Sequence, residues 1–266
     1  MAVALAGTHH DLDGLLDAQA ARILPRLAGL YAGIALILSP ETSRATRTLL
    51  EAAGALIRTS ERGGRDASLS LGHKRREGLA LALESVAGAT HVHLCDFDRV
   101  LHWAEFYPEE LRTTQHFLRE HDFTVLGRTA RAFATHPRVQ RDTEAIINHA
   151  FGLASGLRWD VSAASRGLSR RAVEAIIAGC PDDTIGNDCS WPLFLQRRNG
   201  FSITYLETEG LEFETADRYP AAVAAAGGVE GWIAQIDMNP AHWAQRLELA
   251  RVEVESVVAY RMPEQA

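Results

Sequence analysis

Residues 91–103, HVHLCDFDRVLHW, constrain the chain more than any other stretch. Val92 to Cys95 reads as a buried strand that delivers two carboxylates, Asp96 and Asp98, at its C-terminal end, with Arg99 and Trp103 just beyond. In open parallel sheets ligands sit at such strand ends, because the chain turns outward there and frees side chains for chemistry. Two acids two positions apart can share one divalent ion, Mg²⁺ or Mn²⁺, which usually keeps several waters and takes phosphate oxygens as its other ligands. The pattern points to a pocket for a diphosphate-bearing substrate, with Asp96 and Asp98 as metal ligands. The plain alternative is a strand-to-loop junction whose Asp side chains cap the following turn.

The residues before this strand supply a β/α alternation. Ala2 to Ala6 is an apolar run ending at Gly7-Thr8-His9-His10-Asp11, a first buried strand that opens into a loop. Thr8 then lies at the C-terminal edge of the sheet and is a candidate contact for the bound nucleotide. Residues 12–29 carry Leu12, Leu15, Leu16, Ala20, Ile23, Leu24 and Leu27 at helical spacing, and Pro25 is expected to end or kink that helix. A strand at 33–38, a helix at about 43–53 and a short strand at 55–59 follow. Residues 60–70 are polar and Gly-rich, as a mobile loop would be. A helix from about His73 to Val86 then carries Lys74, Arg75 and Arg76 in its first turn, where basic charge opposes the helix dipole. A nearby anion would explain those charges, and Arg75 and Arg76 are candidate diphosphate contacts; a solvated basic face is the alternative.

Composition excludes several classes. With 266 residues, 47% of them hydrophobic, the chain can bury one large core. The net charge of −7 offers no basic stripe for nucleic acid. The longest near-apolar run, Leu27 to Leu38, is too short to span a bilayer. MAVALAG lacks the basic region of a signal peptide, so a cytoplasmic location is expected. Cys95, Cys180 and Cys189 show no zinc-ligand spacing and read as reduced.

The order strand, helix, strand, helix, strand, loop, basic helix, strand, D-x-D resembles the nucleotide-sugar half of a GT-A-type glycosyltransferase. LGHKRREGLALAL is similar to the family's helix that begins with Gly and a basic residue before the D-x-D strand. The likeness continues through NHAFGLASGLRWDVSAASRGLSRRAVEAII, residues 148–177, which resembles the acceptor-side segment. TIGNDCSWPLFLQRRNGFSITYLETEGLEF, residues 184–213, resembles the acidic helix start, amphipathic helix, Gly and strand that follow. Within the family, mannosylglycerate-synthase-like enzymes are the nearest match. The resemblance implies an open, mostly parallel sheet flanked by helices over residues 1–215, with a helical C-terminal extension over 216–266. It also implies transfer of a sugar from a nucleotide-diphosphate sugar to a small or glycan acceptor, assisted by Mg²⁺ or Mn²⁺.

By resemblance, Asp188 at a helix start is the general base, with Asp160 lining the acceptor side as the second choice; a plain N-cap is the alternative for Asp188. Asp96 contacts the ribose or the metal and Asp98 ligates the metal. The family's acidic pair after the second strand is replaced by Ser39-Pro40-Glu41-Thr42-Ser43, which leaves Glu41 as the carboxylate for ribose or base. A third metal ligand has no matching motif, and His242 is the candidate, with packing beside Trp243 as its plain reading. Trp103, close to the acids, is a weaker candidate for substrate contact. Residues 240–260 read as an amphipathic helix with Trp243, Leu247, Ala250, Val254 and Val257 on one face, which either covers the active site or joins subunits of a homo-oligomer. Two other functions compete. LCDFDRVL superficially resembles the first motif of the aspartate-nucleophile phosphatases, and a degenerate transferase domain could bind a nucleotide sugar without catalysis.

Overall fold

The computed structural model describes residues 2–60 and 67–260. The first half runs β1 (Ala2–His9), α1 (Asp17–Leu30), β2 (Ile34–Leu38), α2 (Arg44–Ala52), β3 (Leu56–Thr59), α3 (Ala67–Ser85) and β4 (Ala89–Cys95). Then come α4 (Phe97–Phe106), α5 (Pro108–Leu118), β5 (Phe123–Arg128), α6 (Ala130–Ala134), α7 (Arg138–Ser155), β6 (Ser165–Ser169), α8 (Arg170–Gly179), α9 (Asn187–Gln196) and β7 (Ile203–Thr208). Four helices end the chain: α10 (Thr215–Arg218), α11 (Pro220–Ala225), α12 (Val229–Met238) and α13 (Pro240–Val258).

Among the described residues the strands form one seven-stranded sheet in the order β3-β2-β1-β4-β6-β5-β7. β6 runs antiparallel to β4 and β5, and every other pairing is parallel. This is the open, mostly parallel, helix-flanked sheet expected from the sequence. The chain builds β2 and β3 on one side of β1, then returns through α3 to place β4 on the other. The C-terminal ends of β1 and β4 are therefore the switch point, the place at which such sheets hold ligands in a crevice.

The two faces of the sheet carry different side chains, and the difference sets the depth of that crevice. Val3 and Leu5 of β1 pack with α1 and α4, whereas Ala4 and Ala6 face α3. Small residues on the second face let α3 lie low: a Cβ at Gly78 would stand 3.7 Å from the Gly7 carbonyl oxygen and 3.9 Å from the Ala6 Cβ. Arg75, one turn earlier, is thereby carried to the end of β4. Leu79 and Ala82 of α3 join Ile147 of α7, Val173 of α8, Trp191 of α9 and Val257 of α13 in the core beneath.

Several local expectations are corrected. Helix α3 starts at Ala67, so Lys74 to Arg76 lie well inside it and the argument from an unfavourable dipole no longer applies. Of the loop expected at 60–70, residues 61–66 lie outside the described residues and the end is helical. Helix α1 runs through Pro25 to Leu30 and begins only at Asp17, leaving Leu12 and Leu15 exposed. On α13 the buried positions are Ala250, Val252, Glu253 and Val257, while Leu247 is exposed. That helix lies against α7 and α9. No helix among the described residues is long and apolar enough to cross a membrane. The three cysteines are free and buried.

Gly7 of β1 leaves no room for a side chain beside β4: a Cβ there would stand 2.6 Å from the Cys95 carbonyl oxygen. Backbone cannot swing aside as a side chain can. Gly7→Ala is expected to cost about 1–3 kcal/mol, the usual range for overpacking, read as a lower midpoint in urea denaturation. A midpoint equal to the parent's would contradict the contact.

Candidate active site at the β1–β4 crevice

A line of buried charge crosses the C-terminal edge of the sheet. The Thr8 hydroxyl at the end of β1 donates to Asp96 Oδ1 at 2.9 Å, closing the gap between β1 and β4. Arg75 Nη2 of α3 donates to the other Asp96 oxygen at 3.1 Å, and its Nη1 donates to Asp188 Oδ1 at 2.6 Å and to the Asn187 side-chain oxygen at 3.0 Å. Arg166 of β6 completes the line, 2.8 Å from the same Asp188 oxygen. The side chains of Arg75 and Arg166 are 1% and 0% exposed, so these are interior ion pairs in a weakly screening medium. Burial pushes the Asp96 carboxyl up, but the guanidinium groups of Arg75 and Arg99 outweigh it and hold the group below its ordinary range.

Asp98 has a different environment. It lies in the first turn of α4, where Asp96 is the N-cap residue. Its Oδ1 accepts from the Arg99 amide at 2.9 Å, and Arg218 of α10 stands 3.5 Å from its Oδ2. Burial and the neighbouring charge of Asp96 push its carboxyl above the ordinary range. Arg99 turns the other way, donating to the Ala163 carbonyl at 2.6 Å and approaching Glu214 at 3.5 Å. The adjoining Ala164 has φ 56°, a left-handed conformation that costs an L-residue roughly 1–2 kcal/mol and that Arg99 helps to hold.

The donor set available to a divalent cation here is the carboxylate pair Asp96 and Asp98, each of which also faces a guanidinium, Asp96 that of Arg75 at 3.1 Å and Asp98 that of Arg218 at 3.5 Å. His242 does not join it. Its Nδ1 donates to the Ile236 carbonyl, and the ring lines a separate cavity with Pro137, Phe213 and Trp232. Among the described residues no three His, Cys, Asp or Glu side chains gather as a metal site by themselves.

The remaining expected residues divide. Glu41 is exposed at the crevice rim, its carboxyl held below the ordinary range by its own amide, by Ser39 and by the nearby charges of His10 and Lys74. Arg75 lies in the crevice but its guanidinium is engaged by protein carboxylates. Arg76 is turned away: it donates to the carbonyls of Cys180 and Asp182 and pairs with Asp183, clamping the turn before α9. Lys74, in the same basic run, is the one whose charge is felt at the rim by Glu41. Trp103 is core: fully buried, it donates its indole N–H to Glu110 at 2.8 Å and packs beside Gly210.

The two proposed bases have other work. Asp188 is not a cap, because Gly186 occupies the N-cap position of α9; its carboxylate anchors two guanidinium groups. Asp160 belongs to a second buried cluster, accepting from Arg128 at 2.7 and 2.9 Å and from Asn148 at 2.9 Å. Arg128 also pairs with Glu144 at 2.6 Å, and Glu144 with Arg246 of α13 at 2.6 Å. Arg128 and Arg166, which the sequence reading passed over, organise these clusters. Their signal was an arginine in a strand otherwise made of small or apolar residues, a place where charge requires a partner.

His102 of α4 ties α10 to the same edge, with Nδ1 2.8 Å from Asp217 and Nε2 3.3 Å from Glu212. Burial disfavours its charged form, but these two acids outweigh burial and raise its pKa above 6.5. A raised folded-state pKa gives stability that is complete below the unfolded value and is lost as pH rises through the folded one. The parent is therefore expected to lose stability relative to His102→Gln as pH rises from 6.5 through the raised folded-state value, measured by denaturant melts; parallel pH profiles would refute it. Asp188→Asn is expected to destabilise the chain by about 3–5 kcal/mol, because it leaves two buried guanidinium groups short of their counter-charge. An unchanged urea midpoint would show that Asp188 is not their anchor.

The chain matches no protein-family model and no curated protein. Among solved structures it is similar to glucosyl-3-phosphoglycerate synthase from Mycobacterium tuberculosis, in complex with Mn²⁺, uridine diphosphate and phosphoglyceric acid. The TM-score is 0.50 at 14% identity, covering 77% of this chain and 68% of that one. It is also similar to 4-diphosphocytidyl-2C-methyl-D-erythritol synthase from Anaerococcus prevotii DSM 20548, at TM-score 0.48 and 14% identity, covering 85% of this chain and 98% of that one. At 14% identity the likeness to the first of these is one of fold, and with the strand order above it identifies the chain as having a GT-A-like α/β fold.

Proposed function

We propose that the chain transfers a sugar from a nucleotide-diphosphate sugar to an acceptor hydroxyl, with a divalent cation held by Asp96 and Asp98. The observation that carries this reading is the Thr8–Asp96 hydrogen bond, which places the D-x-D pair at the β1–β4 switch point of a GT-A-like sheet. The similar synthase, solved with Mn²⁺ and uridine diphosphate, supports the same class of donor.

In this reading the nucleotide lies across the ends of β1 and β2, with Thr8 and Glu41 on its ribose or base side and Lys74 towards the diphosphate. Arg75 acts indirectly, holding the Asp96 carboxylate ionised and oriented. When bound, the cation neutralises charge that develops on the departing diphosphate. Arg218, near Asp98, adds positive charge on the same side. The acceptor oxygen forms a bond to the anomeric carbon, and the anomeric carbon–oxygen bond breaks with its electron pair leaving on the nucleotide diphosphate. The hydroxyl proton leaves to that diphosphate or to water. Asp188 and Asp160, both committed to ion pairs, position arginines instead of receiving it.

The phosphatase alternative asks Asp96 to attack phosphorus and predicts phosphate release from simple phosphoesters without any sugar nucleotide. A non-catalytic binder would share the donor site and lack turnover. Titration calorimetry with UDP, GDP and CDP, with and without Mn²⁺, tests the donor reading. At least one nucleotide diphosphate should bind with Mn²⁺, and Asp98→Asn should abolish that dependence with the fold retained. Lys74→Ala should weaken the diphosphate more than the corresponding nucleoside. Binding that ignores Mn²⁺ in the parent would refute the metal assignment, and slow hydrolysis of the matching sugar nucleotide would separate an enzyme from a binder.

A further inference from the structure

A second cavity of ≈ 660 Å³ lies between α7 and the C-terminal helices, and the donor reading leaves it unused. Its walls are Phe213, Tyr219 and Trp232, with Gln140, Gln245 and Arg246 among the polar groups around them. The rings form a connected surface: Phe213 and Trp232 stand 5.8 Å apart at 32°, Trp232 and Tyr219 5.7 Å apart at 48°. We propose that this cavity binds the acceptor and that the acceptor is a neutral saccharide; the word acceptor rests on the transfer reading above.

Two features support a neutral ligand. The cation on the wall, Arg246, is already paired with buried Glu144 at 2.6 Å, and Gln140 donates to that same carboxylate at 2.9 Å. The N-terminus of α7 also faces this region, where Pro137 and Val139 line the cavity, and helix N-termini ordinarily attract anions. Here it is taken: Asp237 of α12 accepts from the amides of Arg138 and Val139, both at 2.9 Å. A phosphate or carboxylate would meet no uncompensated positive group among these partners. Aromatic rings suit the apolar C–H faces of a sugar ring, while a few placed amide and hydroxyl groups suit its hydroxyls. Thr215 and the amides of Gln140 and Gln245 are such groups. His242 adds an acceptor, because an imidazole that donates from Nδ1 to the Ile236 carbonyl presents an unprotonated Nε2 when neutral.

Position supplies the link to chemistry. Segment 213–219 is one wall of the cavity through Phe213, Thr215 and Tyr219, and the same segment carries Glu214, 3.5 Å from Arg99, and Arg218, 3.5 Å from Asp98. One short stretch thus borders the D-x-D pair on one side and the aromatic cavity on the other. Helices α10, α11 and α12 bury none of their residues, so Tyr219 and Trp232 can be replaced with little loss to the core.

The test uses saturation-transfer NMR on the full chain with methyl α-D-glucopyranoside, methyl α-D-mannopyranoside, trehalose and sucrose, against 3-phosphoglycerate as the anionic probe. At least one neutral sugar should receive saturation from aromatic protons. Trp232→Leu and Tyr219→Ala should weaken it by roughly three- to tenfold, and Mn²⁺–nucleotide binding should stay at the parent's level. Contact by 3-phosphoglycerate alone, no contact by any neutral sugar, or contact indifferent to both variants would overturn the proposal. Sugar binding in a parent that binds no nucleotide diphosphate would retain the saccharide site and reject the donor reading instead.

Discussion

The buried guanidinium of Arg75 is the interaction on which the crevice depends. It joins α3 to β4 through Asp96 and to α9 through Asp188, and Asp188 carries the connection on to Arg166 in β6. Removing charges from water costs several kcal/mol each, and such pairs survive only when their hydrogen bonds are well made. That cost is met here by elements from both halves of the chain, so the D-x-D pair is shaped by residues more than ninety positions downstream. The consequence is an Asp96 carboxyl held below its ordinary range although buried, beside an Asp98 carboxyl pushed above its own.

A second arginine plays the same part on the other side of the site. Arg128 gathers Asp160 and Glu144, and Glu144 in turn receives Arg246 from the last helix. This chain of pairs fastens α13 to α7 and leaves Arg246, on the wall of the adjoining cavity, already paired. Glu253 of α13 is buried in the same interior, and burial with the nearby charges of Asp188 and Glu144 pushes its carboxyl well above the ordinary range. The β1–β4 site and the aromatic cavity are thus bounded by two sets of ion pairs, with segment 213–219 between them.

The β/α alternation was legible because β1 and β2 are short apolar runs bounded by turn residues, a pattern that burial on both faces imposes, while β3 is largely exposed. The D-x-D position was legible for the same reason: a strand that ends in acids must end at an edge. Helix starts were less legible. Ala67 to Leu71 extends α3 backwards with residues that favour no sharp boundary, and without that turn Lys74 to Arg76 looked like a first turn seeking an anion. His242 and Trp103 were misplaced because proximity in sequence to a pair of acids, or scarcity of other histidines, says nothing about which way a side chain faces.

The sequence by itself determined the strands of the first half and the pair of acids delivered at the end of β4, since apolar runs, turn residues and strand-end carboxylates are local properties. Only the tertiary structure decided what those charges do. Arg75, Arg166, Asp188 and Asp160 could each have faced a substrate or one another, and the pairing depends on contacts between residues up to 113 positions apart. An ion pair needs both partners within a few ångströms, and no periodicity or spacing in one segment carries that distance.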